Sequence, residues 1–176
     1  MLDVLAQLED ELPGLIDRGA AIWGGYKLVF KKTTITFRAE THWRDCLVRL
    51  NHFLPVMGGD EVLHPHVWPG AIHVLSGGYE MDLAFGEPEG WGKEVPKPCA
   101  QLFIGPGSRY SMLDHRVWHA IRPKVETFSV CLCGPNFEEI VQAPLEPGSG
   151  SGSVYERERL GPEQVAEHLA HYKRYF

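Results

Sequence analysis

Residues 63–78 read LHPHVWPGAIHVLSGG. His64 and His66 flank Pro65, and His73 follows further on. In an extended chain, residues two apart point the same way. His64 and His66 can therefore aim into one interior and share a metal ion. Imidazole nitrogen suits zinc, iron, nickel and copper. By strand parity His73 joins Ala71 and Leu75 on the face opposite Gly70. A bulge at Pro69–Gly70 would reverse that and bring His73 into the same pocket. Two surface histidines beside a turn proline are the plain structural alternative, so the surrounding chain has to decide.

On both sides of this stretch the texture is β-rich. Short runs punctuated by Gly and Pro follow one another: YKLVF, TITFRA, CLVRLNHFL, EVLHPH, AIHVLSG, YEMDLAFG, AQLFIG, RYSML, VWHAIRP and ETFSVCLCG. About ten strands at such close spacing predict an all-β sandwich or barrel. The barrel is expected over residues 26–142. Residues 1–25 form an N-terminal helical segment, because Leu2, Leu5, Leu8, Leu12 and Leu15 fit one apolar face. Pro13 falls late in that pattern and is expected to break it. Residues 86–99, GEPEGWGKEVPKPC, read as a loop, since prolines and glycines interrupt any ladder. Residues 143–176 read as a flexible linker, APLEPGSGSGS, and a C-terminal helix that opens at Pro162. A chain cut after Gly148 is expected to keep its barrel.

The chain has 176 residues, 44% apolar and 23% charged, which suits one globular domain. The net charge of −6 argues against nucleic acid, whose binding relies on neutralising phosphates. The short basic run FKKTTITFR, residues 30–38, reads as a solvated strand face. No stretch approaches the ~18 apolar residues of a membrane span. The acidic start MLDVLAQLEDELPGL lacks the features of a secretory signal, so a cytoplasmic protein is expected. In that compartment Cys46, Cys99, Cys131 and Cys133 read as thiols. Cys131 and Cys133, spaced CLC, share one strand face and can look into the same interior.

With these pieces in place, the segment HPHVWPGAIHVLSGGYEM, residues 64–81, resembles the first motif of the RmlC-like cupins. VWHAI and SVCLCGP resemble the later strands of bacterial and phage-type cupins that carry HxHxW. The resemblance spans about residues 46–136. It implies a cupin-type double-stranded β-helix, a jelly-roll barrel with short terminal helices, and a divalent metal. His64 and His66 match the motif histidines, and Gly70 stands where the motif supplies a glutamate. The second motif adds one more histidine, and IGPGSRYSMLDHRVWHAIRP, residues 104–123, fills that role. Tyr110 stands where the simplest pattern puts histidine, so the candidates are His115 and His119. His119 is favoured because it lies in a strand-like run, whereas Asp114-His115-Arg116 reads as a polar turn.

A three-histidine site without glutamate is also similar to that of thiol dioxygenases, which bind iron(II). Two departures stand out. Cys131 and Cys133 replace the His and Tyr of their Ser-His-x-Tyr run, and no motif places a substrate-carboxylate arginine, for which Arg38, Arg44 and Arg49 are candidates. The resemblance implies iron(II) first, with zinc, nickel or manganese as other ions. It implies a dioxygenase acting on a small polar or thiol molecule. The alternatives are an isomerase or lyase using another metal, and a non-catalytic cupin that binds a small ligand or a structural metal. A neutral three-histidine face leaves the ion its 2+ charge and favours an anionic chelating substrate. Tyr110 and His115 are the candidate acid–base groups. Trp68, His73, Arg49, Cys131 and Cys133 are candidates for the pocket wall. Trp118, next to His119, should point outside the barrel. Asp60, Glu61, Glu80 and Asp82 are candidates to orient the imidazoles. Partners are expected to be small molecules, with a homodimer as the default assembly and neither nucleic acid nor membrane.

Overall fold

The computed structural model describes residues 1–30, 34–55, 63–87, 95–137 and 155–176. Helix α1 (Leu2–Asp17) leads into strands β1 (Gly24–Phe30), β2 (Thr34–Trp43) and β3 (Cys46–Phe53). Next come β4 (His64–Pro65), β5 (Gly70–Ser76), β6 (Tyr79–Phe85) and β7 (Ala100–Ile104). Strands β8 (Arg109–Met112), β9 (Val117–Pro123) and β10 (Thr127–Cys133) complete the run, followed by β11 (Tyr155–Arg159) and helix α2 (Pro162–Tyr172). The strands form two antiparallel sheets, ordered β11-β1-β2-β3-β10-β5-β8 and β4-β9-β6-β7. The fold is an all-β barrel of two facing antiparallel sheets, with one helix near each end of the chain. Each of the ten β-rich runs contributes a strand. At Gly77, between β5 and β6, φ is +74° and an added Cβ would meet the Glu126 carbonyl, so this turn requires glycine.

Alternation gives the large sheet two unlike faces. On one, Ala39, Val48, Leu50, Ala71, Phe128, Val130 and Leu132 pack under both helices. Leu5, Leu8, Leu12, Leu15 and Ile16 come from α1, and Val165, Leu169 and Tyr172 from α2. This outer layer is the largest apolar cluster of the described residues, and each large side chain buried in it contributes about 1.5–3 kcal/mol. The other face looks into the barrel and carries Arg38, Glu40, Arg49, Asn51, Ser129, Cys131 and Cys133, as the registers dictate. The smaller sheet closes over it with Tyr79 and Met81, which pack against Val74.

Three expectations need correction. Helix α1 runs through Pro13 without a break. Leu8 and Leu12 before the proline, and Leu15 and Ile16 around its end, are all pinned to the sheet, and this packing outweighs one lost backbone hydrogen bond. The second concerns the C-terminal segment, which holds a strand as well as a helix. β11 pairs along β1, with Tyr26 opposite Arg159, and Leu160 N–H donates to the Gly25 carbonyl. Its run YERER is charged throughout and shows no apolar alternation, because it is an edge strand. The third follows from it: helix α2 and Leu160 belong to the main core, so a cut after Gly148 removes part of that core. The expected linker, residues 143–153, lies outside the described residues. No described helix is long and apolar enough to cross a membrane.

Candidate metal centre

β4 and β9 are neighbours in the smaller sheet, and their register sets His64 directly opposite His119. His66 follows two residues after His64 and keeps its face. The three rings converge, with centroids 4.7–5.2 Å apart. His66 Nε2 and His119 Nε2 lie 2.7 Å from each other. One ligand nitrogen from each residue falls within 4.8 Å of the others, and this is the only such cluster of three among the described residues. Two nitrogens on one ion at bonds of about 2.1 Å can be at most ~4.2 Å apart, so a small ring rotation would complete the cage.

The electrostatics suit a cation. Burial, then the neighbouring His64, then Arg49 and Arg38, push the His66 imidazole well below its ordinary pKa. Burial, His64 and His66 do the same to His119. Neutral imidazoles offer lone pairs, which metal ligation requires. His119 is buried, and its Nδ1 has no hydrogen-bond partner among the described residues. The imidazole donor set fits a borderline divalent ion such as iron(II), zinc or nickel.

The structure therefore brings His64, His66 and His119 together and leaves His115 and His73 out. The His115 ring lies against Phe137, in an open surface depression shared with Glu87, Leu113, Asp114 and Arg116. His73 is corrected as a pocket residue: no bulge intervenes at Pro69–Gly70, and β5 turns the ring to the outer face. There His73 Nδ1 lies 2.5 Å from Glu9 of α1, whose other oxygen accepts from Arg109. Trp118 packs on the far side of β9 from His119, with Leu63, Ala84 and Ala120, and donates to the Gly86 carbonyl. Glu80 and Asp82 are corrected as imidazole partners, because Arg122 holds both. Asp60 and Glu61 lie outside the described residues.

Arg49 and Arg38 extend the site across the barrel. The Arg49 guanidinium sits 5.2 Å from the Trp68 ring centroid, and Trp68 lies 4.1 Å from the His66 ring. Arg49 donates to Glu40, and Arg38 donates to Asn51. Among the described residues Glu40 is the carboxylate they share, and it also accepts from Arg157. Arg38 was not singled out above other arginines by sequence. Its signal was available: in TFRAETHW, Arg38 and Glu40 share one face while Phe37, Ala39 and Thr41 share the other. Arg44 is corrected as a candidate for a substrate group. It stands in the β2–β3 turn at φ 52° and donates to Gln7 and Glu11 of α1.

Cys131 and Cys133 lie on the inner face, buried, with sulfurs 3.7 Å apart. They pack with Ile72 and Met112, and with Trp68 and Tyr110 beside them. The hydrogen bond from Cys133, with Arg49 and Arg38 nearby, draws the Cys131 thiol below its usual range, while burial pushes Cys133 up. Tyr110 shares a 2.7 Å hydrogen bond with Tyr79, a partner that the sequence did not suggest. Burial raises both phenols, so Tyr110 stays protonated near neutral pH and can donate but not act as a base.

No protein-family model matches the sequence, and no curated protein matches it. Among solved structures it is similar to hydroxypropylphosphonic acid epoxidase from S. wedmorenis, with 17% identity and a TM-score of 0.42 over 58% of this chain and 50% of that one. It is similar to KdgF from Halomonas sp., with 17% identity and a TM-score of 0.42 over 60% of this chain and 84% of that one. An RmlC-like cupin from Shewanella frigidimarina gives 12% identity and a TM-score of 0.42 over 60% and 80%. The chain spans about half the length of the epoxidase. On its own geometry the chain is a two-sheet antiparallel barrel in which three histidines, two from β4 and the residue that follows it and one from β9, converge on one point.

Proposed function

We propose that this protein is a mononuclear metal enzyme acting on a small anionic molecule that chelates the ion. His64, His66 and His119 would hold a divalent metal, with iron(II) the preferred ion and dioxygenase chemistry the preferred reaction. The bound ion supplies Lewis acidity and open coordination positions, and iron adds redox chemistry with dioxygen. The observation that carries this reading is the pairing of three converging imidazoles with two guanidiniums across one barrel interior. Arg38 and Arg49 share Glu40 as their carboxylate, so the interior keeps an excess of positive charge. An anionic group on the ligand would balance it, and a planar guanidinium suits a carboxylate or phosphonate. Tyr110 would donate a hydrogen bond to the bound molecule as a neutral phenol. A small thiol acid satisfies these requirements, with sulfur for the metal and carboxylate for Arg49.

Binding without turnover is a second reading. It is favoured by the burial of Tyr110 and its hydrogen bond with Tyr79, which keep this one of the two candidate acid–base groups protonated near neutral pH.

Elemental analysis of the purified protein, followed by oxygen uptake with small thiol acids, tests both. Near-stoichiometric iron is expected, lost in His64→Ala, His66→Ala and His119→Ala, together with oxygen consumption that Arg49→Met abolishes. Tightly held zinc that chelators remove only with unfolding, and no oxygen uptake, would instead favour the binding reading.

A further inference from the structure

Gly70 stands where the first cupin motif supplies a glutamate ligand, and the structure shows what fills that space. A β-carbon added to Gly70 would lie 2.7 Å from Trp68 Cζ3 and 3.3 Å from Cε3. Real β-carbons do not come that close, so the indole owns the volume into which a side chain at position 70 would grow. The same ring is 4.1 Å from the His66 ring, inclined at 51°, and 5.2 Å from the Arg49 guanidinium carbon. It also packs on the cluster of Ile72, Met112, Cys131 and Cys133. One side chain thus touches a candidate metal ligand, the anion-receiving arginine and the site of the missing ligand.

We propose that Trp68 is a positioning residue that stands in for the fourth protein ligand. Its indole blocks a carboxylate from position 70 and so keeps the ion on three neutral imidazoles. It also sets the tilt of His66 and supports Arg49 through its π face. A glutamate would cancel one unit of the ion's charge and occupy one coordination position. The indole does neither, and the full 2+ charge remains for an anionic ligand on the Arg49 side. This inference rests on the three-histidine reading above.

Cobalt(II) is the probe, because its visible absorption reports the number of ligands and competition with a chelator reports affinity. Wild type is expected to take one cobalt(II). Trp68→Ala should keep it with about tenfold weaker affinity, the usual size of a loss outside the ligand set. Gly70→Glu alone should bind no tighter than wild type, since Trp68 leaves the carboxylate no room. Trp68→Ala/Gly70→Glu should bind at least about tenfold tighter than Trp68→Ala and show a changed spectrum. A tighter Gly70→Glu single variant, or a double variant indistinguishable from Trp68→Ala, would overturn the proposal.

Failure of the wild type to take up cobalt(II) would instead sink the metal reading. The steric half has its own test, which needs no metal. Gly70→Ala should lower Tm in the wild-type background and leave it unchanged in Trp68→Ala. Equal losses in both backgrounds would show that the indole does not own that space.

Discussion

His66 and His73 lie on one short stretch of chain, and parity sends them to opposite sides of the barrel wall. His66 faces the other histidines, while His73 meets Glu9 under helix α1. His73→Ala should therefore retain full metal content and lose about 1–3 kcal/mol of stability, the cost of leaving a mostly buried carboxylate one partner short. Metal analysis beside urea denaturation reads both, and loss of the metal would return His73 to the site. His168 carries a different consequence. Burial lowers its pKa to about 4, although its hydrogen bond with the Leu50 carbonyl pulls the other way. Between the unfolded value of about 6.5 and the folded value, the unfolded chain binds the extra proton. Stability is then complete above pH 6.5 and falls as the pH drops toward 4, by up to about 3 kcal/mol. His52 shifts in the same direction, also chiefly through burial. Denaturation across this window should show a shallower slope in His168→Gln, and an unchanged slope would place the proton elsewhere.

Among the elements, β11 and α2 act as one unit. The strand extends the large sheet at β1, and the helix lays Val165, Leu169 and Tyr172 on its outer face. Tyr172 is fully buried and stands edge-on to Phe128 of β10. A chain ending at residue 154 would lose Leu160, Val165, Leu169 and Tyr172 and uncover the outer-face side chains packed with them, Phe128 among them, far more apolar surface than a marginally stable domain can lose. Such a chain is expected to show no cooperative thermal transition and to bind a dye for exposed apolar surface. A sharp transition within a few degrees of the full-length Tm would show that the barrel stands alone. Helix α1 is tied down in a different manner. Its apolar face docks like that of α2, but Glu9 and Glu11 add polar contacts to His73, Arg109, Trp43 and Arg44.

At the scale of the whole molecule, the seven-stranded sheet separates the apolar core from the candidate site. Its outer face is apolar and helix-covered, and its inner face carries arginines, thiols and a carboxylate. Substitutions on the two faces should therefore separate. Leu50→Ala, on the outer face, should cost about 2–5 kcal/mol and leave metal stoichiometry intact. Arg49→Met, on the inner face, should cost about 1–3 kcal/mol, since it leaves the mostly buried Glu40 carboxylate one partner short, with Arg38 and Arg157 still beside it. It should also abolish binding of a small carboxylic acid to the metal-loaded protein. Calorimetry of unfolding and of ligand binding on both variants checks the division. Loss of metal in Leu50→Ala, or unchanged acid binding in Arg49→Met, would show that the faces are not independent.

The local pattern was enough to locate ten strands, the leucine face of α1 and the pairing of His64 with His66, because strand and helix periods are properties of neighbouring residues. It was also enough to prefer His119 over His115, since one lies in a strand-like run and the other in a polar turn. Other features depended on contacts between distant segments. The charged run YERER has no apolar alternation, and only the open edge of β1 makes it a strand. Pro13 stays helical because the sheet grips α1 on both sides of it. Gly70 looked like an absent ligand, and only the packed Trp68 ring showed that its space is taken. Short-range periodicity determines which face a side chain occupies, whereas what it meets across that face is decided by chain segments tens of residues away.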